Sequence, residues 1–268
     1  MRLRVEHTTT FTYDAPIVEA YTELRLRPLD AGGQRCLSFR LRTEPQGVRV
    51  RELADRLRNT VGRFDVLEPH DRLKVTATSE VLTPAGFEEH VPLTPLERFD
   101  YLAPTEYVVL DGAVPEFAAE RAGGSGPAAE QARAIMRGVR EQLVYERGAT
   151  SVQTPATKVL ALGRGVCQDF AHLFIAACRC EGIPARYVSG YIHDPALGDA
   201  DGASHAWADV YDDAHGWISL DPTHGAEQDE NYVRVAVGRD YADVPPTRGV
   251  FKGNAQETLA VKVSVRVV

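Results

Sequence analysis

Cysteine is scarce in this chain: four occur among 268 residues, at positions 36, 167, 178 and 180. That is far too few for a disulfide scaffold of this size, so packing has to hold the fold. Long apolar runs are missing as well, and nothing approaches the roughly 18 apolar residues that a membrane helix needs. The N-terminus, Met1-Arg2-Leu3-Arg4-Val5-Glu6, has neither the apolar core nor the small-residue cleavage site of a signal peptide. Positive charge is in short supply. The net charge is −8 with no dense basic block, which counts against nucleic acid and membrane as partners. There is no internal repeat and no low-complexity tail. Together these absences point to a reducing compartment, with the cytoplasm as the expected location. What is present is the balance of a globular protein, 44% apolar and 25% charged. At roughly 150 residues per domain the length suits one large or two ordinary domains.

The first stretch, about 1–110, reads as strands. Val5, His7, Thr9 and Phe11 alternate with polar neighbours, and Tyr21 to Arg27 repeats that period of two. Further runs follow at 36–41, 47–50, 59–66 and 72–81, punctuated by turns at Asp30-Ala31-Gly32-Gly33 and Glu44-Pro45-Gln46-Gly47. Short strands at this spacing predict an antiparallel β-sandwich-like domain, with one large sheet of a single α+β fold as the alternative. After Pro104 the texture changes. The spacing predicts a short helix at Val114 to Ala119 and a longer one at Pro127 to Leu143, with Ala132, Ile135, Met136, Val139 and Leu143 on one face. A third is expected at Pro155 to Leu162. The predicted division is 1–110 and 111–268, and the fold class is α+β.

The most informative segment is Gly163-Arg164-Gly165-Val166-Cys167-Gln168-Asp169-Phe170-Ala171-His172. Two glycines allow a tight approach, and a helix then runs to about Glu181, before Gly182-Ile183-Pro184 stops it. Cys167 therefore sits in a first helical turn, where unpaired backbone N–H groups and the helix dipole stabilise a thiolate. The same N–H groups suit an oxyanion. The competing reading is a small core residue. Cys178 lies roughly 16 Å up the same helix and cannot reach Cys167. The spacing Cys178-x-Cys180 does not suit one helix face and no second pair exists, so no metal site is expected.

A cysteine nucleophile needs an imidazole to take its proton and a third group to orient that ring. His172 is on the same helix about 140° round and is poorly placed. His205 opens the alternating strand Ser204-His205-Ala206-Trp207-Ala208-Asp209-Val210-Tyr211. After the turn Asp212-Asp213-Ala214-His215-Gly216, the strand Trp217-Ile218-Ser219-Leu220-Asp221 stops at Pro222. If Tyr211 pairs with Trp217, Asp221 lies diagonally from His205 on one face, about 7–8 Å away and within side-chain reach. Cys167, His205 and Asp221 thus make a complete candidate triad. Gln168, Tyr145 and Trp207 are candidates for the oxyanion site or the cleft wall, with packing as the plainer role. His193 to Ser204, rich in Asp and Gly, reads as a loop beside the site that is suited to act as a lid.

The ordered motifs Gly-Val-Cys-Gln-Asp-Phe-Ala, Gly-Ile-Pro-Ala-Arg-Tyr-Val-Ser-Gly-Tyr, Ser-His-Ala-Trp-Ala-Asp-Val and Gly-Trp-Ile-Ser-Leu-Asp-Pro-Thr resemble the core of bacterial transglutaminase-like proteins, a group described as candidate cysteine proteases. The match runs over roughly 150–225. The N-terminal strands resemble the β-rich domain that precedes this core, and 236–246 resembles the group's C-terminal segment. The resemblance implies a papain-like core, with a nucleophile helix packed on an antiparallel sheet and a Cys-His-Asp triad at Cys167, His205 and Asp221. Asp240 and Tyr241 are further cleft candidates, with a solvated turn as the simpler reading. The implied activity is cysteine-dependent amide hydrolysis of a protein or peptide through a thioester. The alternatives are glutamine-to-amine transfer and a non-catalytic binding module on the same fold. No calcium loop is visible, and no cofactor is expected.

Overall fold

The computed structural model describes residues 1–194 and 203–268. Five strands come first: β1 (Arg2–Leu24), β2 (Arg35–Glu44), β3 (Arg51–Ala54), β4 (Thr60–Val66) and β5 (His70–Leu82). The two alternating runs expected before residue 27 belong largely to one long strand, β1. Its first half pairs antiparallel with β5, Val5 opposite Ser79. The ladder breaks between Thr12 and Ile17, and Glu19 adopts a left-handed φ of 53°. This irregularity bends the strand, so its second half pairs with β4 in a different direction. Phe11, Ile17, Leu24, Phe64, Leu73 and Val75 fill the space between the halves, which gives the expected sandwich-like packing.

A helix then interrupts the region expected to be all strand. Helix α1 (Pro95–Leu102) starts with a reciprocal capping box. Glu97 N–H donates to Thr94 Oγ1 at 3.2 Å, while Thr94 N–H donates to the Glu97 carboxylate at 2.9 Å. Thr-Pro-Leu-Glu carries the signature of that start: an N-cap threonine, proline at the first helical position and glutamate two residues later. Helices α2 (Val114–Ala122), α3 (Ala128–Gln142) and α4 (Ala156–Leu162) follow close to the expected positions. Two short strands, β6 (Val144–Tyr145) and β7 (Arg164–Gly165), pair in parallel and bring the chain to helix α5 (Cys167–Cys180).

The rest is an antiparallel sheet plus a return. Strands β8 (Ala185–Ile192), β9 (Ala203–Asp212), β10 (Gly216–Asp221), β11 (Ala226–Glu227) and β12 (Tyr232–Gly238) form a sheet of order β11-β10-β9-β8-β12. Helix α5 packs on one face of it, against Ala206, Ala208 and Val210. The sequence pattern assigns this helix one buried stripe. In the fold it is buried all round from Gln168 to Arg179, because α2, α3 and α4 cover the sides the sheet leaves open. After a 3₁₀ turn at Tyr241–Asp243, β13 (Thr247–Lys252) and β14 (Glu257–Val267) pair with β1. The expected division grouped these residues with the second part; their hydrogen bonds go to the first sheet. β1 is long enough to offer each of its halves a free edge, which these strands fill. Leu3, Val5, Val81, Val263 and Val265 then pack on Tyr191, Val233 and Val235, joining the two sheets through an apolar seam. Among the described residues no helix is long and apolar enough to cross a membrane.

Candidate active site

Gly165 decides how α5 begins. A Cβ there would stand 2.5 Å from the Asp169 carboxylate, so only glycine lets that side chain fold back over the helix start. Asp169 accepts from Val166 N–H at 2.7 Å and from the Thr150 hydroxyl at 2.6 Å. Burial pushes the Asp169 carboxyl up, and these two hydrogen bonds oppose it. The result is a capped first turn that presents Cys167, half-buried, at the margin of the core.

The imidazole and the carboxylate come from adjacent strands. Trp217 lies opposite Tyr211 and Leu220 opposite Ala208, the register expected from the hairpin. His205 and Asp221 are therefore diagonal neighbours, and His205 Nε2 lies 2.7 Å from Asp221 Oδ2. Both are buried. With Nε2 engaged, Nδ1 is the ring nitrogen left for Cys167, which lies near enough to act on the ring. Burial alone favours a neutral ring. The hydrogen bonds to Asp221 and Cys167 and their charges outweigh it, and His205 is pushed up to about 10. Burial likewise opposes ionisation of Asp221, but hydrogen bonds from His205 and His224 hold that carboxyl far below the usual carboxylate range. The three expected residues converge, with an imidazolium between a thiol and a carboxylate.

Beneath them lies a buried polar layer. Trp207 stacks on His205 with ring centroids 5.9 Å apart, and its Nε1–H donates to Ser219 Oγ at 2.9 Å. Arg234 donates to Ser219 Oγ at 3.1 Å, to the Gln228 carbonyl at 2.8 Å and to the Asp209 carboxylate at 3.0 Å. Arg186 donates to the other side of Asp209 at 2.7 Å. Gly190 allows this layer to close, since a Cβ there would overlap the Val233 carbonyl and the Trp207 ring.

The remaining candidates divide. Trp207 supports the His205 ring from below. Tyr145 stays largely exposed on β6 opposite Gly165, beside the start of α5. Gln168 is buried and its amide donates to the Val152 carbonyl at 2.9 Å, tying the preceding loop to the helix. Asp240 is buried, and its carboxylate accepts from Ala242 N–H at 2.8 Å. It caps the 3₁₀ turn instead of lying in a solvated one. Tyr241 N–H donates to His172 Nε2 at 3.2 Å, and the Tyr241 ring meets Tyr187, whose phenol is raised by burial and then by the nearby Cys167. His172, stacked on Tyr107 and tilted against Tyr187, is a buried neutral ring pushed down to about 3 by burial. Most of the loop expected as a lid, His193 to Ser204, lies outside the described residues. Two residues near Asp221 went unread in the sequence: His224 and Tyr232 both bond its Oδ2. His224 had a local signal, since an aspartate followed three residues later by a backbone N–H donor is a turn motif. Tyr232 had none, because it reaches Asp221 from the far strand β12.

Residues 115–222 match the transglutaminase-like superfamily model, and residues 3–82 match the bacterial transglutaminase-like N-terminal region. An uncharacterized protein of Mycobacterium leprae is 35% identical over 277 residues, covering 98% of each chain. This chain belongs to the transglutaminase-like superfamily. A crystal structure of a candidate cysteine protease from Cytophaga hutchinsonii superposes with a TM-score of 0.79, covering 100% of this chain and 91% of that one. At 24% identity it establishes the shared fold. A protein-glutamine gamma-glutamyltransferase of Pseudomonas aeruginosa is 28% identical over 142 residues, which is 46% of this chain and 21% of that one. Membership agrees with the helix that begins at Cys167, the antiparallel sheet it packs on and the preceding β-rich region.

Proposed function

We propose that the protein is a cysteine-dependent amide hydrolase or peptidase acting on protein or peptide substrates. The observation that carries this reading is the His205 ring, fixed at Nε2 by the buried Asp221 at 2.7 Å and acted on by the nearby Cys167 thiol. An imidazolium against the thiol favours the thiolate, the nucleophilic form. Cys167 Sγ attacks the carbonyl carbon, and the N–H groups in the first turn of α5 stabilise the resulting oxyanion. His205 gives its proton to the departing nitrogen, the C–N bond breaks, and a thioester remains on Cys167. His205 then takes a proton from water as that water attacks the thioester. The acid leaves, and the proton returns to the thiol pair. Asp221 keeps the ring in its working tautomer throughout.

A second reading is favoured by the gamma-glutamyltransferase relative: a substrate amine in place of water would make the chain a glutamine amine transferase. The two share every step up to the thioester. Iodoacetamide alkylation of each cysteine, followed by mass spectrometry across pH, tests the common part. Cys167 should be alkylated faster than Cys36, Cys178 and Cys180, and that advantage should vanish in His205→Ala. A Cys167 no more reactive than the other cysteines in both proteins would leave the fold as a binding module. Glutaminyl peptides offered with a labelled amine then separate ammonia release alone from amine incorporation.

A further inference from the structure

Asp221 Oδ2 carries one imidazole more than a triad uses. It accepts from His205 Nε2 at 2.7 Å, from His224 Nδ1 at 2.6 Å and from the Tyr232 hydroxyl at 2.8 Å. The His205 and His224 rings are 5.0 Å apart, and their ligating nitrogens and the Asp221 oxygen all lie within 4.8 Å of one another. His205 and Asp221 are buried, whereas the side chain of His224 is half-exposed and opens the cluster to solvent. The other Asp221 oxygen is fixed by backbone N–H groups of Thr223 at 2.8 Å and His224 at 3.3 Å. Nothing in the acyl-transfer sequence employs His224.

We infer that His205 Nε2, Asp221 Oδ2 and His224 Nδ1 form a site for Zn²⁺ that switches the thiol chemistry off. The switching rests on the proposed function; the site does not. Two imidazole nitrogens and one carboxylate oxygen are a zinc donor set with a fourth position left for water, whereas Mg²⁺ and Ca²⁺ prefer oxygen alone. Ligands about 2.0–2.1 Å from an ion stand about 3.3 Å apart. The present contacts of 2.7 and 2.6 Å must therefore open by about 0.6–0.7 Å, on one side by movement of the half-exposed His224 ring and on the other by a small shift of the Asp221 carboxylate away from His205. The Tyr232 hydroxyl and the two backbone N–H groups supply the outer contacts that keep such a carboxylate oriented. The protons balance. The His205 imidazolium releases its Nε2 proton to solvent and keeps Nδ1–H, while His224 gives up its Nδ1 proton and carries its ring proton on Nε2. With Nε2 on the metal and Nδ1 protonated, His205 has no nitrogen free to accept the proton of Cys167. No electron transfer is involved.

Calorimetric titration with Zn²⁺ alone, on the whole chain, tests the site. One equivalent should bind wild type and Cys167→Ala alike, and His224→Ala should weaken it by about 100-fold. Binding that survives His224→Ala, or that is lost in Cys167→Ala, would place the ion on the thiol pair or elsewhere and overturn the assignment. The switch is read as Zn²⁺ inhibition relative to each protein's own metal-free turnover, and it should be strong in wild type and weak in His224→Ala. Equal inhibition of both sinks the switch. If Zn²⁺ binds as expected but Cys167 shows no acyl chemistry, the functional reading fails and the site stands. If Cys167 is active and no Zn²⁺ binds the cluster, the site fails and the function stands.

Discussion

In β1, Leu3 and Val5 are buried while Arg2 and Arg4 reach across the sheet surface to Glu80; in β12 every residue from Tyr232 to Gly238 is buried. The two sheets share an antiparallel design and differ in what covers them. The first half of β1 has one face packed and one face in water, so its charges pair loosely at the surface. The sheet around His205 has α5 on one face and loops, α1 and the first sheet on the other. Any charge on that second face had to be paired inside the protein, and Asp209 accordingly holds both Arg186 and Arg234. Arg186 also lies 4.0 Å above the Trp217 ring, and Arg234 lies 3.8 Å above Phe87. The polar layer under His205 is thus a consequence of double coverage. The candidate site rests on that rigid layer, where its ring and carboxylate keep their alignment.

The sharpest way to break the comparison is Asp209→Ala. Removing that carboxylate leaves the buried Arg234 without a counter-ion and Arg186 with Glu89 alone, and urea denaturation should show a loss of about 3–5 kcal/mol. A loss no larger than that of a surface substitution would mean that the layer is not structurally special. The next effect comes from pH and samples both regions. His7, in the seam between the sheets, is pushed down to about 4 by burial, and His172, against α5, to about 3. The unfolded chain takes up these protons near an ordinary histidine value of about 6.5, so the stability they contribute is complete above that pH. It should be lost as pH falls below it, at about 1.4 kcal/mol per pH unit for each ring. Urea midpoints between pH 6.5 and 5 read this directly, and His172→Phe should remove one share of the slope. A flat profile would mean that the rings are hydrated. The smallest effect is expected at Glu80→Ala, whose partners Arg2 and Arg4 are half-exposed. Its urea midpoint should match wild type within measurement. A clear loss there would show that the first sheet, too, depends on its ion pairs.

Period-two alternation is a local property, so β1, β4 and β5 were legible without any neighbours. So were the helices at 114–122 and 128–142, whose apolar spacing needs only a helix to be read. The hairpin register could be read because a tight turn fixes which residues face each other, and that placed His205 beside Asp221. Helix α1 carries its own signal in Thr94-Pro95-Leu96-Glu97, but the run of strands before it favours a continuation of strand.

What the sequence determined by itself was therefore everything carried by short-range geometry: the turn that sets Cys167 at a helix start, the glycine that lets Asp169 close it, and the strand order that pairs imidazole with carboxylate. Tertiary structure alone decided the rest. The return of β13 and β14 to β1 joins residues more than two hundred positions apart, and no local pattern records which edge will be vacant. Asp240 became a buried cap, and α5 was covered on every side, only once other elements arrived. Tyr232 met Asp221 through β12, and Arg234 met Asp209 across the sheet. Such contacts depend on which face is left dry, and dryness belongs to the assembled layers and not to any single segment.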